Sequence, residues 1–387
     1  MQLIIENQRY SDPEFINAGK TADIHRLDHC CLAKVYKPEF REEERRLKVL
    51  VLCNQYRGNV GRFGQNYAFP ISPAYEGVFQ PEALAGFSMR DLGNIPEIGK
   101  IGFDIVNGTF QGSNGVRLDE TRAIELVYEM FAAVDRLHQA RIILGDLNDR
   151  NFLSDGKNIG VVDIDASQIG SFGCQETTPL FYDPQLKRRG INSRGTWTFD
   201  TGTDNFALSV IAFQFLIGVL PYDIHLVPVG DEIANKDRGI SSIKCFALGH
   251  DCVRSMGHAY LDCPENKAVE KRLVWLQKKD RTLFDHFVNV FVKDARGSLL
   301  DALDISNQRH PGHHFFEKSG IDVVLRIFEK LKIEAERLAA VKSAPKPTPV
   351  VFRSARHSTS LPRTLQRRTD PPQLSAFLAQ LNLTTNP

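Results

Sequence analysis

Over residues 206–220 the apolar side chains do not keep to one stripe: Phe206, Leu208, Val210, Ile211, Phe213, Phe215 and Leu216 point to nearly every side of a helix. Such a helix has no face to offer water, so other elements must enclose it in the middle of a domain. Thr203 or Asp204 is the expected N-cap. The run is shorter than the ~20 residues that cross a bilayer, which leaves burial in protein as the expectation. A chain of 387 residues has ample length to surround it, as two lobes or two to three domains.

The elements before that helix fall into a mixed order. Residues 1–37 alternate apolar and polar positions with turns at Asp12-Pro13 and Ala18-Gly19-Lys20-Thr21, as a small antiparallel sheet does. Residues 38–56 read as a helix that opens on Glu42-Glu43-Glu44 and turns on Leu47, Leu50 and Val51. Extended segments follow at 74–80 and 84–92, then a Gly- and Asn-rich connector at 93–118. Asp119 caps a long helix reaching to about 139, with Ile124, Val127, Phe131, Val134 and Leu137 on one face. Further helical patterns lie at 267–292 and 320–341. From about 341 onward Pro, Ser, Thr and Arg dominate, with seven basic residues and a single acid, Asp370, as in a solvated tail. Leu374, Phe377, Leu378 and Leu381 form a short amphipathic patch within it.

Composition narrows the function classes. With 42% hydrophobic and 25% charged residues and a net charge of +1, the chain is ordinary for a soluble globular protein and unlike a basic nucleic-acid binder. No apolar run is long enough for a membrane span, and the start is charged too soon for a signal peptide. Seven cysteines without regular pairing suit a reducing cytoplasm, which is the expected location.

The chemistry concentrates at 142–167. There Gly145-Asp146-Leu147-Asn148-Asp149-Arg150-Asn151 stands between the apolar runs Ile142-Ile143-Leu144 and 159–162, with Asp163-Ile164-Asp165 after the second. Transfer of a phosphoryl group from a nucleotide needs a carboxylate beside the attacking hydroxyl and oxygen ligands for the metal on the phosphates. Magnesium takes hard oxygen donors, usually only one or two of them protein carboxylates. Asp146, Asn151 and Asp165 form such a set, with Asp163 as the competing second carboxylate.

These residues resemble the protein kinase pattern Asp-x-x-x-x-Asn followed by Asp-Phe-Gly. Within that class, Gly145-Asp146-Leu147-Asn148 with Asn151, and Asp163-Ile164-Asp165-Ala166-Ser167-Gln168, resemble a bacterial kinase group. That group reads Gly-Asp-hydrophobic-Asn-x-x-Asn and Asp-x-Asp-Ser-Phe-Gln, and is often encoded beside von Willebrand A domain proteins and a PP2C-type phosphatase in stress and tellurite-resistance clusters. Thr178-Pro179-Leu180-Phe181-Tyr182-Asp183-Pro184-Gln185 resembles its activation-segment end, and Asp204-Asn205-Phe206-Ala207-Leu208 the start of its buried helix.

The resemblance implies an α+β, bilobal protein kinase-like fold. A β-rich first lobe would cover 1–92 and a mainly helical second lobe 93–340, the latter with a Cys/His-containing insertion near 225–265; the basic tail would be 341–387. It implies an ATP- and magnesium-dependent Ser/Thr kinase with a protein substrate, and with the phosphatase and von Willebrand A proteins as partners. By position, Asp146 is the base, and Asn151 and Asp165 hold magnesium. Lys34, with Lys37 as fallback, grips the phosphates. Glu44, or Glu43, pairs with that lysine. Gly19 and Lys20 lie in the phosphate loop, Met89 in the strand leading to the adenine hinge, and Asp204 caps its own helix and braces the catalytic loop.

Departures from the pattern are specific. The phosphate loop, Ala18-Gly19-Lys20-Thr21-Ala22-Asp23, keeps one glycine of the usual three. Gly145 replaces the Arg that receives an activation-segment phosphate, so activity is expected without phosphorylation of Thr177 or Thr178. Gln185 replaces a Glu that pairs with a later Arg, here Arg296. A nucleotide-binding pseudokinase scaffold and a small-molecule phosphotransferase are the alternative readings. Separately, Cys245, His250, Cys252, His258 and Cys263 crowd into nineteen residues and offer a structural zinc site as the alternative to free cysteines.

Overall fold

The structure, a computed structural model, describes residues 1–63, 66–111, 115, 117–191 and 197–303; the helix expected at 320–341, the tail and its amphipathic patch lie outside them. The first part of the chain is a seven-stranded antiparallel sheet. Its strands are β1 (Gln2–Ile5), β2 (Gln8–Ser11), β3 (Glu14–Ala18), β4 (Ala22–Arg26), β5 (Cys31–Tyr36), β6 (Ser72–Glu76) and β7 (Leu84–Arg90), in the order β2-β1-β6-β7-β5-β4-β3. The antiparallel sheet expected at 1–37 is present, but it is completed from outside that stretch: β6 and β7 insert between β1 and β5. Helix α1 (Glu43–Phe63) lies across the sheet. Val49 and Cys53 pack on Ala22, Tyr36 and Phe87, while Val51 and Leu52 join the core of the second part.

That second part is mainly helical. Its helices are α2 (Glu120–Gln139), α3 (Pro184–Arg189), α4 (Thr201–Ile217), α5 (Glu232–Asp237), α6 (Ser242–Leu248), α7 (Pro264–Lys279) and α8 (Arg281–Phe291). Asp119 caps α2 as expected, accepting from the Arg122 amide at 2.8 Å. In α4, fourteen of seventeen residues are buried, which is what its all-round apolar pattern demands. Its N-cap, however, is Asp200, in a reciprocal capping box with Thr203. Asp204 is one turn too far in to cap, and its carboxylate is used elsewhere. The periodicity at 267–292 is two helices, because Asp280 ends α7 and caps α8.

The observed fold is thus the expected bilobal α+β arrangement. Among the described residues no helix is long and apolar enough to cross a membrane.

The cysteine and histidine cluster does not assemble. Cys245 and Cys252 lie 3.5 Å apart. His250 instead stacks on Tyr260 and bonds Glu270, while His258 bonds Arg238 and the Pro228 carbonyl, and Cys263 sits at the N-cap of α7. Packing against separate partners keeps the five from converging on one point, which corrects the zinc alternative. Among the described residues, metal-ligand spacing occurs only in the exposed trio Asp28, His29 and Cys30 at the β4–β5 turn.

Candidate active site

A cleft of about 690 Å³ opens between the sheet with α1 on one side and the helical part on the other. Its helical wall is the segment 144–151. The amides of Leu144 and Gly145 donate to the two oxygens of Asp204 at 2.7 and 2.8 Å, and His138 Nε2 bonds the same carboxylate at 2.9 Å. Asp204 is fully buried, so these donors fix the backbone just before Asp146. Gly145 has φ +75°, and a Cβ there would lie 2.9 Å from Cys174 Sγ. No larger residue fits beside the base.

Beyond Asp146 the loop closes on itself. The Asn148 amide donates to Asn151 Oδ1 at 2.7 Å, Asn148 Nδ2 to the Asp146 carbonyl, and the Val162 amide to the Asn151 carbonyl. Asp146, Asn148 and Asn151 all face the cleft. Burial raises the Asp146 pKa above the usual carboxylate value, against the lowering effect of the Thr178 hydroxyl, which donates to Oδ1 at 2.7 Å.

The sheet wall is organised by charge. Lys34 Nζ on β5 lies 2.8 Å from Asp165 Oδ1 and 3.0 Å from Asp163 Oδ1. Burial opposes the lysine's charge, but the two carboxylates outweigh it and hold its pKa above normal. Asp165 is buried, its second oxygen accepting from the Tyr36 hydroxyl at 2.7 Å. That burial works against ionisation, and Lys34 with Tyr36 more than offsets it, so the Asp165 pKa lies below normal. Asp163 adopts left-handed backbone, φ 60°, a conformation Asp tolerates better than most residues. Its side chain is 56% exposed, against 7% for Asp165.

Gly19 and Lys20 line the cleft from the β3–β4 turn. That turn is tight: the Gly19 amide donates to the Ala22 carbonyl at 2.8 Å, where a Cβ on Gly19 would also intrude. Lys37 is turned away from the carboxylates and donates to the Gly19 carbonyl.

Three expectations need correction. Glu44 lines the cleft but is exposed and makes no ion pair with Lys34. The residue that α1 aims inward is Lys48, one turn further on, so Lys34 takes its counter-charges from Asp163 and Asp165 instead. Met89 packs with Ala22, Tyr36, Val49, Cys53 and Phe87 and is not among the residues lining the cleft. Like Phe87, two residues earlier on the same face of β7, it faces α1. Arg296 pairs with Asp183, through Nε at 2.5 Å and Nη2 at 3.0 Å, and Gln185 turns to Asp294.

Sequence reasoning also missed three residues. Tyr36 shares a strand face with Lys34 by simple alternation, a signal that was available. Lys48 lies four residues after Glu44, on the same helix face. Thr178 was read only as part of the activation segment.

No family model matches the sequence. Among solved structures, the chain is similar to the autoinhibited serine kinase domain of the giant muscle protein titin, at 14% identity and a TM-score of 0.47, over 80% of this chain and 81% of that one. Likeness at that level adds nothing to the residue-level reading, which rests on the cleft itself.

Proposed function

We propose that the chain is an ATP- and magnesium-dependent protein kinase that phosphorylates Ser or Thr hydroxyls. The observation that carries this reading is the contact at Asp146. A threonine hydroxyl donates to its carboxylate at 2.7 Å, in a cleft that also holds an amide oxygen, two further carboxylates and a largely enclosed lysine. The donor set suits the group it must hold: hard oxygens from Asn151 and Asp163, a cation in Lys34, and space of about 690 Å³.

In this reading Asn151 and Asp163 hold the metal, Asp163 taking the place expected for Asp165, since Asp163 is the carboxylate that solvent reaches. Asp165 is the buried counter-charge that keeps Lys34 protonated and fixed. Magnesium held there would supply neutralisation of the phosphate charge. Lys34 presents its ammonium to the same phosphates. Asp146 orients the substrate hydroxyl and accepts its proton at a carboxylate oxygen, and burial makes it a stronger base than an exposed aspartate. Asp204 holds the loop so that the base needs no rearrangement. The protein substrate, the PP2C-type phosphatase and the von Willebrand A partner belong to the same proposal, as does the cytoplasmic location.

A second reading, a nucleotide-binding scaffold without transfer, draws on one feature: both Asp165 oxygens are already taken, by Lys34 and Tyr36. Labelled ATP with magnesium, offered with casein, separates the two. Incorporation that Asp146→Ala and Asp163→Ala both lose supports the kinase. ATP binding with no incorporation in the wild type rejects it in favour of the scaffold.

A further inference from the structure

Two lysines from opposite parts of the molecule are buried with no ion pair among the described residues, and both direct their donors at one stretch of backbone. Lys48, on α1, is 7% exposed and donates to the carbonyls of Ala166 at 3.0 Å and Gly173 at 3.1 Å. Lys236, on α5, is 2% exposed, donates to the carbonyl of Pro179, and lies 3.8 Å from the ring centroid of Tyr182. All three carbonyls belong to the stretch between the carboxylates at 163 and 165 and the start of α3. Burial drives both ammonium groups toward easier deprotonation, each to about 8. An interior charge bonded to peptide oxygens and without an ion pair is an expensive arrangement, and methionine fills a similar volume without the desolvation cost.

The place where a phosphate receptor would stand is closed. Gly145 has φ +75°, and the room for a side chain there is filled by Cys174 of this same stretch. Nothing at that position can grasp a phosphorylated threonine. The ordering has to come from other donors, and the two lysines reach the stretch near its beginning and near its end.

We propose that Lys48 and Lys236 are positioning residues that clamp segment 163–183, holding Asp163 and Asp165 at one end and the substrate-side loop at the other in place of an activating phosphate. The inference rests on the kinase reading and assigns each lysine a different kinetic effect. Lys48 acts through Ala166 on the carboxylates that face the nucleotide. Lys236 acts through Pro179, next to Thr178 at the base, on the docking of protein substrate.

The test uses the full chain treated with a phosphatase, as wild type, Lys48→Met, Lys236→Met and the arginine variant at each position. Lys48→Met is expected to raise the KM for magnesium-ATP by about tenfold with little change in the KM for casein, and Lys236→Met the reverse; a charged hydrogen bond has that worth. Both methionine variants should melt at or above the wild-type temperature, and arginine should restore the affected constant in part. Unchanged kinetic constants in both methionine variants overturn the clamp. So does an equal loss in both that follows a lowered melting temperature, or a wild type that phosphatase treatment silences. Amide hydrogen exchange over 166–179 decides the clamp independently of catalysis: faster exchange in the methionine variants supports it and unchanged exchange overturns it, even if the wild type transfers nothing and the kinase reading fails.

Discussion

The two walls of the cleft are held by different forces. On the helical wall, backbone amides of Leu144 and Gly145 converge on one fully buried carboxylate, Asp204, and the rest of the loop is knitted by Asn148 and Asn151. On the sheet wall, Lys34, Tyr36, Asp163 and Asp165 meet as side chains, across 129 to 131 residues of sequence. On the first wall the bracing bonds are short, run from neutral amides to a buried anion, and are set by a residue of α4. The second depends on how four groups share charge, so it should answer to substitution and pH where the first answers by unfolding.

The largest effect should therefore come from the helical wall. Asp204→Ala leaves two buried amides and His138 without an acceptor and should cost about 3–5 kcal/mol. Urea denaturation measures it; a loss under 1 kcal/mol would break the contrast between the walls. Next is the base itself. Asp146→Asn should cut transfer by about a thousandfold or more while magnesium-ATP affinity stays within about threefold, because the residue acts on the hydroxyl and not on the phosphates. Single-turnover kinetics with nucleotide-binding titrations check this.

On the sheet wall, Asp163→Asn and Asp165→Asn should separate. The first should lower magnesium affinity with the fold intact. The second leaves Lys34 with one partially exposed counter-charge and should destabilise the protein by about 1–3 kcal/mol. Equal effects on both measurements would remove the distinction drawn between the two carboxylates.

Lys48 gives a pH test with a definite sign. Its pKa is lowered by burial to about 8 in the folded chain, with Cys174, Asp165, Arg45 and Glu44 around it. Between pH 8 and 10.5 the unfolded chain binds the proton that the folded chain has released, so wild type should gain stability relative to Lys48→Met as pH rises, by about 1–3 kcal/mol in all. A difference that stays flat, or moves the other way, refutes the burial of a charged lysine. The smallest effect is expected from Thr178→Val. The hydroxyl lowers the Asp146 pKa, so its removal should move the acid limb of the rate profile to higher pH; a limb that moves down shows the hydroxyl is not bonded to the base.

Legibility in the sequence followed the same division. On the helical wall Asp146 and Asn151 stand in one hairpin and could be read together; the brace by Asp204, 59 to 60 residues on, followed from the resemblance, and Asp119 as a cap from its position alone. The sheet wall is made by pairing across more than a hundred residues, and there the reading slipped by a turn. The resemblance points to Glu44 by position, while Lys48, beside Leu47 and Val49, carries no signal of its own until Ala166 and Gly173 arrive over it. Asp200 and Asp183 were missed for a related reason. Each competes with a nearby acid or amide, Asp204 or Gln185, and only the tertiary partner decides between them. The Cys/His crowding misled because proximity along the chain says nothing about convergence: a strand pair, a stacking ring and a helix cap draw those side chains apart.

The hook from α1 onto the Ala166 and Gly173 carbonyls has a mechanical meaning. A helix tied by an acid to the strand lysine would, on swinging outward, release that lysine and leave the opposite floor untouched. Here the same swing would pull on the floor: the helix is bonded to the carboxylate-bearing strip itself, which Lys34 and Tyr36 tie in turn to the strand.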